Sequence, residues 1–229
     1  MSCTHKFFEH EFHGKGNSGL LPSWNYNTLI IGTFNPENSW KADNSARYFY
    51  GRSRNYFWKI LPHFTSAKPE VQSAIDYQNI NHQREFLKAN NIGITDILTK
   101  INDADITNEI HKSWISSVKD NDIEKFSNFN WNTDNIINEL KKKKIQAVYF
   151  SKLGAPTKIT NDNTFESQMR LIESFCRQNN IICHRLHTPS GQGLGAGNRV
   201  NNLINRWYNQ NGGDSFPFLN PAFDISNYR

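Results

Sequence analysis

Four short apolar segments, separated by stretches with helical periodicity, constrain the fold of this chain more than any other feature. They cover residues 28–32, 92–97, 145–150 and 181–186. Each is rich in β-branched and aromatic residues and too short for a buried helix, so each predicts a strand. Nearly continuous apolar runs are typical of parallel strands, which are covered on both faces.

Helical patterns lie between these predicted strands. They cover residues 56–61, 85–89, 136–144, 165–175 and 200–207. Asn163 and Glu166 predict a capping pair at the start of the fourth of these helices. The alternation predicts an α/β fold, namely a three-layer α/β/α sandwich around a central, mainly parallel four-stranded sheet. Ligands of such sheets bind beyond the carboxyl ends of the strands.

The length of 229 residues predicts a single domain, residues 1–229. We place its core at about residues 24–208, between a polar N-terminal arm and a C-terminal tail. The tail, residues 209–229, is rich in Gly, Asn and Pro and is expected to lie along the surface. His5, His10 and His13 have no metal-like partners at useful spacing, so we interpret them as surface residues.

Charge and cysteine content narrow the class of protein. The net charge of +5 fits a partner that carries phosphates, although it is a weak signal alone. The three cysteines lack CxxC spacing, which argues against a disulfide framework, a zinc site or a four-cysteine iron–sulfur cluster. The chain has no run of about 18 apolar residues and no signal-peptide pattern. We therefore expect a cytoplasmic protein without a membrane partner.

The loop after the first predicted strand reads Gly32-Thr33-Phe34-Asn35-Pro36. Glycine lets the chain turn sharply, and Pro36 biases Asn35 toward an extended conformation. This presents the Asn35 side chain at the carboxyl end of the strand. An ordinary strand-to-loop turn is the alternative interpretation, because Gly, Asn and Pro all favour turns.

The next segment, residues 46–58, holds three arginines and six large aromatic residues. Arginine with aromatics is typical of sites where phosphates are held and bases are stacked. The alternative is a loop whose aromatics cover the core.

The lysines at residues 141–144 indicate a solvated helix end first, and a DNA contact second.

These two segments together resemble the uracil-DNA glycosylase superfamily, and most closely its mismatch-uracil and hypoxanthine-DNA glycosylases. Residues 48–58 read YFYGRSRNYFW, which is similar to a "YYGHPRNxFW"-like segment of that branch. Residues 91–98 and 103–110 resemble its "GIGLWDVL…GSLDSxI" region. Residues 186–191 are similar to the Pro-Ser wedge loop of the superfamily. The resemblance covers roughly residues 28–207 in order.

The resemblance implies a monofunctional DNA glycosylase that flips a base out of the duplex and needs no cofactor or metal. It implies that Asn35 positions the attacking water. Phe34 would stack on the flipped base, and the main chain around Thr33 would meet the base carbonyls. Tyr50 would close the pocket. The partner would be damaged or mismatched DNA, bound by a monomer.

The Pro-Ser loop would supply further parts of the site. His187 would stabilise the anionic base oxygen, although Thr188 separates it from Pro189. The alternative is that His187 is a polar residue at the end of a strand. Ser190 would hold a phosphate, and Leu194 would fill the vacated base stack.

The clearest departure from the family pattern follows the third predicted strand. The family has Asn-Gly there, whereas this chain has Ser151-Lys152. Ser151 would contact the base, and Lys152, Arg52 and Arg54 would contact DNA. Because one hydroxyl replaces an amide, the excised base stays open among uracil, hypoxanthine and a modified pyrimidine. A non-catalytic lesion-binding module and an enzyme of free nucleosides remain as alternative functions.

Overall fold

The computed structural model describes residues 2–13, 19–40, 46, 48–52, 54–65, 79–117, 119–142, 144–154, 163–190, 193–194 and 197–229. The strands are β1 (Cys3–Thr4), β2 (Thr28–Gly32), β3 (Ile92–Asp96), β4 (Leu98–Ile101), β5 (Phe129–Trp131), β6 (Ala147–Phe150) and β7 (Ile182–Arg185). The helices are α1 (Phe57–Phe64), α2 (Ile80–Ala89), α3 (Glu109–Ser117), α4 (Asp120–Ile123), α5 (Thr133–Lys142), α6 (Phe165–Gln178) and α7 (Arg199–Gln210). None of these helices combines the length and apolarity needed to cross a membrane.

The larger sheet confirms the predicted fold class. Its four strands run parallel in the order β3-β2-β6-β7. Thr28 of β2 pairs with both Ile92 and Ala147, so the carboxyl ends of the strands meet at one edge. Helix α1 packs against α7, and α5 packs against α6, which forms the outer layers of an α/β/α sandwich.

The order of the strands creates a crevice between β2 and β6. The chain leaves β2 toward β3 and leaves β6 toward β7, so it moves in opposite directions from two neighbouring strands. At such a point the connections diverge and a ligand site opens beyond the carboxyl ends. The loop that contains Asn35 and the turn at Ser151 both lie at this point.

A smaller antiparallel sheet, in the order β1-β4-β5, was not predicted. It draws the N-terminal segment into the core, where Cys3, Phe7 and Phe12 are fully buried. His5 and His13 are buried as well, so their interpretation as surface residues is wrong. The imidazole of His13 bonds a main-chain oxygen of β3 at 3.1 Å, which gives this polar ring a reason to be inside.

The C-terminal tail also differs from the prediction, because it contributes to the core. Phe216 and Phe218 are buried, and both rings pack against Tyr149 of β6. The expectation that residues 209–229 lie along the surface is therefore wrong for these two side chains.

The start of α6 is capped by a different pair from the one predicted. Thr164 is the N-cap, and it exchanges hydrogen bonds with Ser167 in a capping box. Asn163 instead accepts a hydrogen bond from the indole of Trp131 at 2.7 Å. Glu166 accepts one from an arginine of β7 at 2.7 Å. The predicted pairing of Asn163 with Glu166 is wrong because both side chains have tertiary partners.

Candidate active site

A cleft of about 630 Å³ lies at the divergence point between β2 and β6. Every residue predicted for the site lines this cleft except Leu194. Leu194 is partly buried and lines a smaller cavity beside α7, together with Asn202 and Arg206. The fold therefore brings the predicted loops together, but it does not place the predicted wedge at the cleft.

Asn35 is held on both its main chain and its side chain. Its carbonyl oxygen accepts a hydrogen bond from the Lys6 amide at 2.8 Å, and the adjacent Pro36 pairs with His5 in an isolated bridge. Its side-chain Nδ2 donates to Oδ2 of Asp96 at 2.8 Å. Oδ1 and the second N–H of Nδ2 therefore stay available to a ligand among the described residues.

Asp96, at the carboxyl end of β3, is a site residue that the sequence reasoning did not single out. Asp96 lines the cleft although it is only 2% exposed. Oδ2 lies 2.7 Å from Nε2 of His5, which is also only 2% exposed. The Phe7 amide donates to Nδ1 of His5, so that nitrogen carries no proton and Nε2–H donates to Asp96.

The other Asp96 oxygen approaches the main chain of β2. A Cβ atom at Gly32 would lie 2.2 Å from Oδ1 of Asp96 and 3.1 Å from the Tyr50 hydroxyl. No side chain fits at Gly32 without moving the carboxylate. The glycine that the sequence analysis assigned to a sharp turn is required instead by this close approach.

Tyr50 forms one wall of the cleft. Its ring stacks on Phe57 with centroids 4.0 Å apart, and its hydroxyl donates to Ser151 Oγ at 3.0 Å. Burial and the nearby charge of Asp96 raise the pKa of Tyr50 well above its usual range, so it stays a neutral phenol. Ser151 Oγ in turn donates to the Ile31 carbonyl at 3.3 Å. The Ser151 hydroxyl is thus engaged, and a base would find little more than one lone pair on it.

Most aromatic side chains of residues 46–58 cover the core rather than face the cleft. Tyr48, Phe49, Phe57 and Trp58 are all buried. For these four rings, the alternative interpretation of the segment as a loop whose aromatics cover the core therefore applies. Arg47 and Ser53 lie outside the described residues. Phe34 lines the cleft, although it is only 6% exposed and its ring meets His5 edge-on.

The basic residues at the cleft differ in their exposure and in the partners that their charged groups have. Lys152 pairs with Asp120 at 2.7 Å, and its Nζ lies over the Phe165 ring. Arg54 is exposed. Arg52 has a buried Nε without a hydrogen-bond partner among the described residues. Burial lowers the pKa of Arg52, and the charges of Asp96 and Asp120 oppose that shift. An anionic ligand would supply the missing partner for this guanidinium.

His187 is buried at the end of β7 with its main chain fixed. Its amide donates to Gln210 at 2.6 Å, and its carbonyl accepts from Trp207 at 2.8 Å. Ring Nδ1 donates to the Thr188 carbonyl at 3.2 Å, which leaves Nε2 as the ring atom for a ligand. His187 thus lines the cleft, and its fixed main chain also fits the alternative of a structural strand-end residue.

The Pro-Ser loop is tied to the segment of residues 46–58. The carbonyl of Pro189 accepts a hydrogen bond from the Tyr56 amide at 2.7 Å. Ser190 Oγ lies 3.1 Å from the Thr188 hydroxyl, and Ser190 lines the cleft. Gly191 and Gly195, which flank Leu194 in the sequence, lie outside the described residues.

No protein-family model, curated protein or solved structure matches this chain. The resemblance to the uracil-DNA glycosylase superfamily therefore stays a prediction. Within the described residues, no three or more His, Cys, Asp or Glu side chains are grouped to hold a metal ion. The cleft presents two acceptor oxygens, from Asn35 and Asp96, together with the guanidinium of Arg52. The two oxygens suit a ligand atom that becomes positively charged during a reaction, and the guanidinium suits an anionic group on the same ligand.

Proposed function

We propose that this chain is a monofunctional DNA glycosylase, which hydrolyses the N-glycosidic bond of a deaminated, mismatched or modified base. Uracil and hypoxanthine are the leading candidates. The observation that carries the proposal is one cleft, at the divergence point of a parallel sheet, lined by Asn35, Tyr50, Arg52, Ser151 and His187. We expect it to act as a monomer in the cytoplasm, without metal or cofactor.

The chemistry of base removal fits the groups in this cleft. As the bond from sugar C1′ to the base nitrogen breaks, the sugar becomes cationic and the base leaves as an anion. Acceptor oxygens on Asn35 and Asp96 suit the cationic sugar and an attacking water. Arg52, with its unsatisfied Nε, suits a phosphate beside the flipped nucleotide. A volume of about 630 Å³ is in the usual range for a small-molecule pocket.

A non-catalytic lesion-binding module is the second candidate. The observation that favours it is the engagement of the residues at the base-reading position. Ser151 bonds to Tyr50 and to the main chain of β2, and Lys152 pairs with Asp120. Little side-chain capacity remains there to recognise one base.

A panel of oligonucleotides tests the proposal. The substrates carry uracil, hypoxanthine, xanthine, mismatched thymine or a bulky pyrimidine modification, in single and double strands. Cleavage is scored after alkali, and the free deoxynucleosides are assayed in parallel. We expect cleavage of at least one lesion in DNA. Tight binding without cleavage would support the lesion-binding module. Hydrolysis of free deoxynucleosides alone would support a nucleosidase, which the position of Leu194 away from the cleft favours.

Substitution of Asn35 tests the site. Asn35→Ala removes the amide side chain from a residue that lines the cleft, and we expect it to lose most of the turnover while binding DNA as before. Single-turnover rates and fluorescence anisotropy measure the two properties. Asn209→Ala, an exposed position at the far end of α7, is the matched control. Normal cleavage by Asn35→Ala would contradict the assignment.

A further inference from the structure

The geometry points to Asp96 as the general base of this reaction, with His5 as the residue that orients it and Asn35 as its partner in holding the water. This inference rests on the proposed function. It assigns a role to two side chains that meet only in the folded chain, from segments 91 residues apart.

The first step of the argument is the position of Asp96. It is the last residue of β3, it pairs in register with Gly32 of β2, and it lines the cleft. It is nevertheless almost fully buried. A buried carboxylate costs free energy unless it is hydrogen-bonded, so the partners of its two oxygens decide what it can do.

The second step is the asymmetry of its two oxygens. Oδ2 accepts from both His5 and Asn35, at 2.7 and 2.8 Å. Oδ1 has no hydrogen-bond partner among the described residues and lies close to Gly32. One oxygen is therefore fixed, and the other is available to accept a proton from a ligand or a water.

The third step concerns the charge of the donors. The Phe7 amide occupies Nδ1 of His5, so the ring is neutral and donates through Nε2. Asn35 is a neutral amide. Two neutral donors orient the carboxylate through Oδ2 without forming an ion pair with it, and Arg52 is the cleft cation that interacts with the charge of Asp96. The other carboxylate at the cleft, Asp120, forms an ion pair with Lys152 instead.

The fourth step is the reaction itself. An amide does not accept a proton from water at neutral pH, whereas a carboxylate does. A water between the free oxygens of Asn35 and Asp96 bonds through its oxygen to C1′ and gives a proton to Asp96. The bond from C1′ to the base nitrogen breaks, and its electron pair leaves with the base. The base then takes a proton from solvent, and Asp96 releases its own to solvent.

The closing experiment compares Asp96→Asn and Asp96→Ala with the wild type in single-turnover assays on the lesion that the wild type cleaves best. We expect both variants to lose about 10²- to 10⁴-fold in rate while binding the DNA normally. Asp134→Asn, which removes an exposed carboxylate from α5, should cleave at the wild-type rate. Thermal unfolding of each variant separates a lost base from a lost fold, and Asp96→Asn preserves the shape if the alanine variant does not fold.

Two further readouts distinguish a base from a structural residue. The wild-type rate should depend on pH in a way that Asp96→Asn lacks, because the amide of the variant exchanges no proton. Added formate should partly restore the rate of Asp96→Ala but not that of Asn35→Ala.

For the positioning role, His5→Leu should slow the single-turnover rate at saturating enzyme without weakening DNA binding. His5→Gln, which keeps a donor near the Nε2 position, should recover most of that rate.

The possible outcomes separate the role of Asp96, the role of His5 and the proposed function. A wild-type rate and pH profile in Asp96→Asn would overturn the role of Asp96 and leave the glycosylase proposal standing. Equal loss in His5→Gln and His5→Leu would overturn the orienting role of His5. A wild type that cleaves none of the lesions would overturn the proposed function, and this inference with it.

Discussion

At the scale of residues, Phe49 is the centre of an aromatic cluster that holds the N-terminal segment in place. Four rings from that segment, those of His5, Phe7, Phe12 and His13, lie with centroids 4.8 to 5.7 Å from the Phe49 ring. The ring that the sequence associates with base stacking therefore packs the segment that delivers His5 to Asp96. Its contribution to the site is indirect, through packing.

His13, in the same cluster, makes stability depend on pH. Burial is the main cause that lowers the pKa of His13 from 6.5 to about 4. Between these values the unfolded chain binds a proton that the folded chain does not, so stability falls as pH falls from about 6.5 to about 4. His13 therefore leaves the stability at its full value above about pH 6.5, and its protonation lowers the free energy of unfolding by roughly 3 kcal/mol at most below about pH 4.

His13→Gln tests this expectation, because glutamine does not titrate and keeps a donor for the main chain of β3. Urea unfolding at a series of pH values gives the free energy of unfolding. The wild type should lose stability toward pH 4 more steeply than the variant. Parallel curves for the two proteins would show that His13 does not contribute.

The candidate site was only partly predictable, for a physical reason. Asn35, Tyr50 and His187 follow strands or lie in segments with a recognisable composition, so the sequence places them. Asp96 ends a buried apolar run, which was a usable signal that a carboxylate lies at the edge of the sheet. His5 has no local signal, because its burial depends on tertiary contacts, among them those with Asp96 and Phe49.

At the scale of elements, the parallel strands were predictable and the smaller sheet was not. Strands β2, β3 and β6 are buried throughout, so their sequences are mostly apolar and do not alternate with polar residues. Strand β1 has two residues and β5 has three, too few to show an alternating pattern. They are strands because β4 pairs with both of them.

The C-terminal tail gives a test at this scale. Phe216→Ala removes a ring that packs on Phe64 and Tyr149 at centroid distances of 5.0 Å. We expect a loss of about 3 to 5 kcal/mol in the free energy of unfolding, since the substitution leaves a cavity in the core. Phe8→Ala, at an exposed phenylalanine, should cost much less. Equal effects in chemical denaturation would mean that the tail does not support the sheet.

At the scale of the whole molecule, the net charge of +5 is shared between the cleft and distant surfaces. Arg52 and Arg54 line the cleft, whereas Lys141, Lys142 and Lys144 are exposed around the end of α5. Only cations that touch phosphates release counterions on binding, so the position of a charge matters more than the total.

The salt dependence of DNA binding distinguishes the two groups. Arg54→Ala should weaken binding and reduce the slope of log affinity against log salt by about 1. Lys142→Ala, which removes the same charge from the end of α5, should leave the slope unchanged. Anisotropy titrations from low to moderate salt measure this slope for each variant. A reduced slope for Lys142→Ala alone would move the DNA path away from the cleft.

The contact between His5 and Asp96 also sets an order of events during synthesis on the ribosome. The two residues are 91 positions apart, and β1 pairs with a strand that follows Asp96. At about 5 to 20 residues per second, the N-terminal segment waits roughly 5 to 18 seconds for its partners to be translated. During that interval Cys3, Phe7 and Phe12 have no core to enter, so these three side chains stay exposed on the nascent chain.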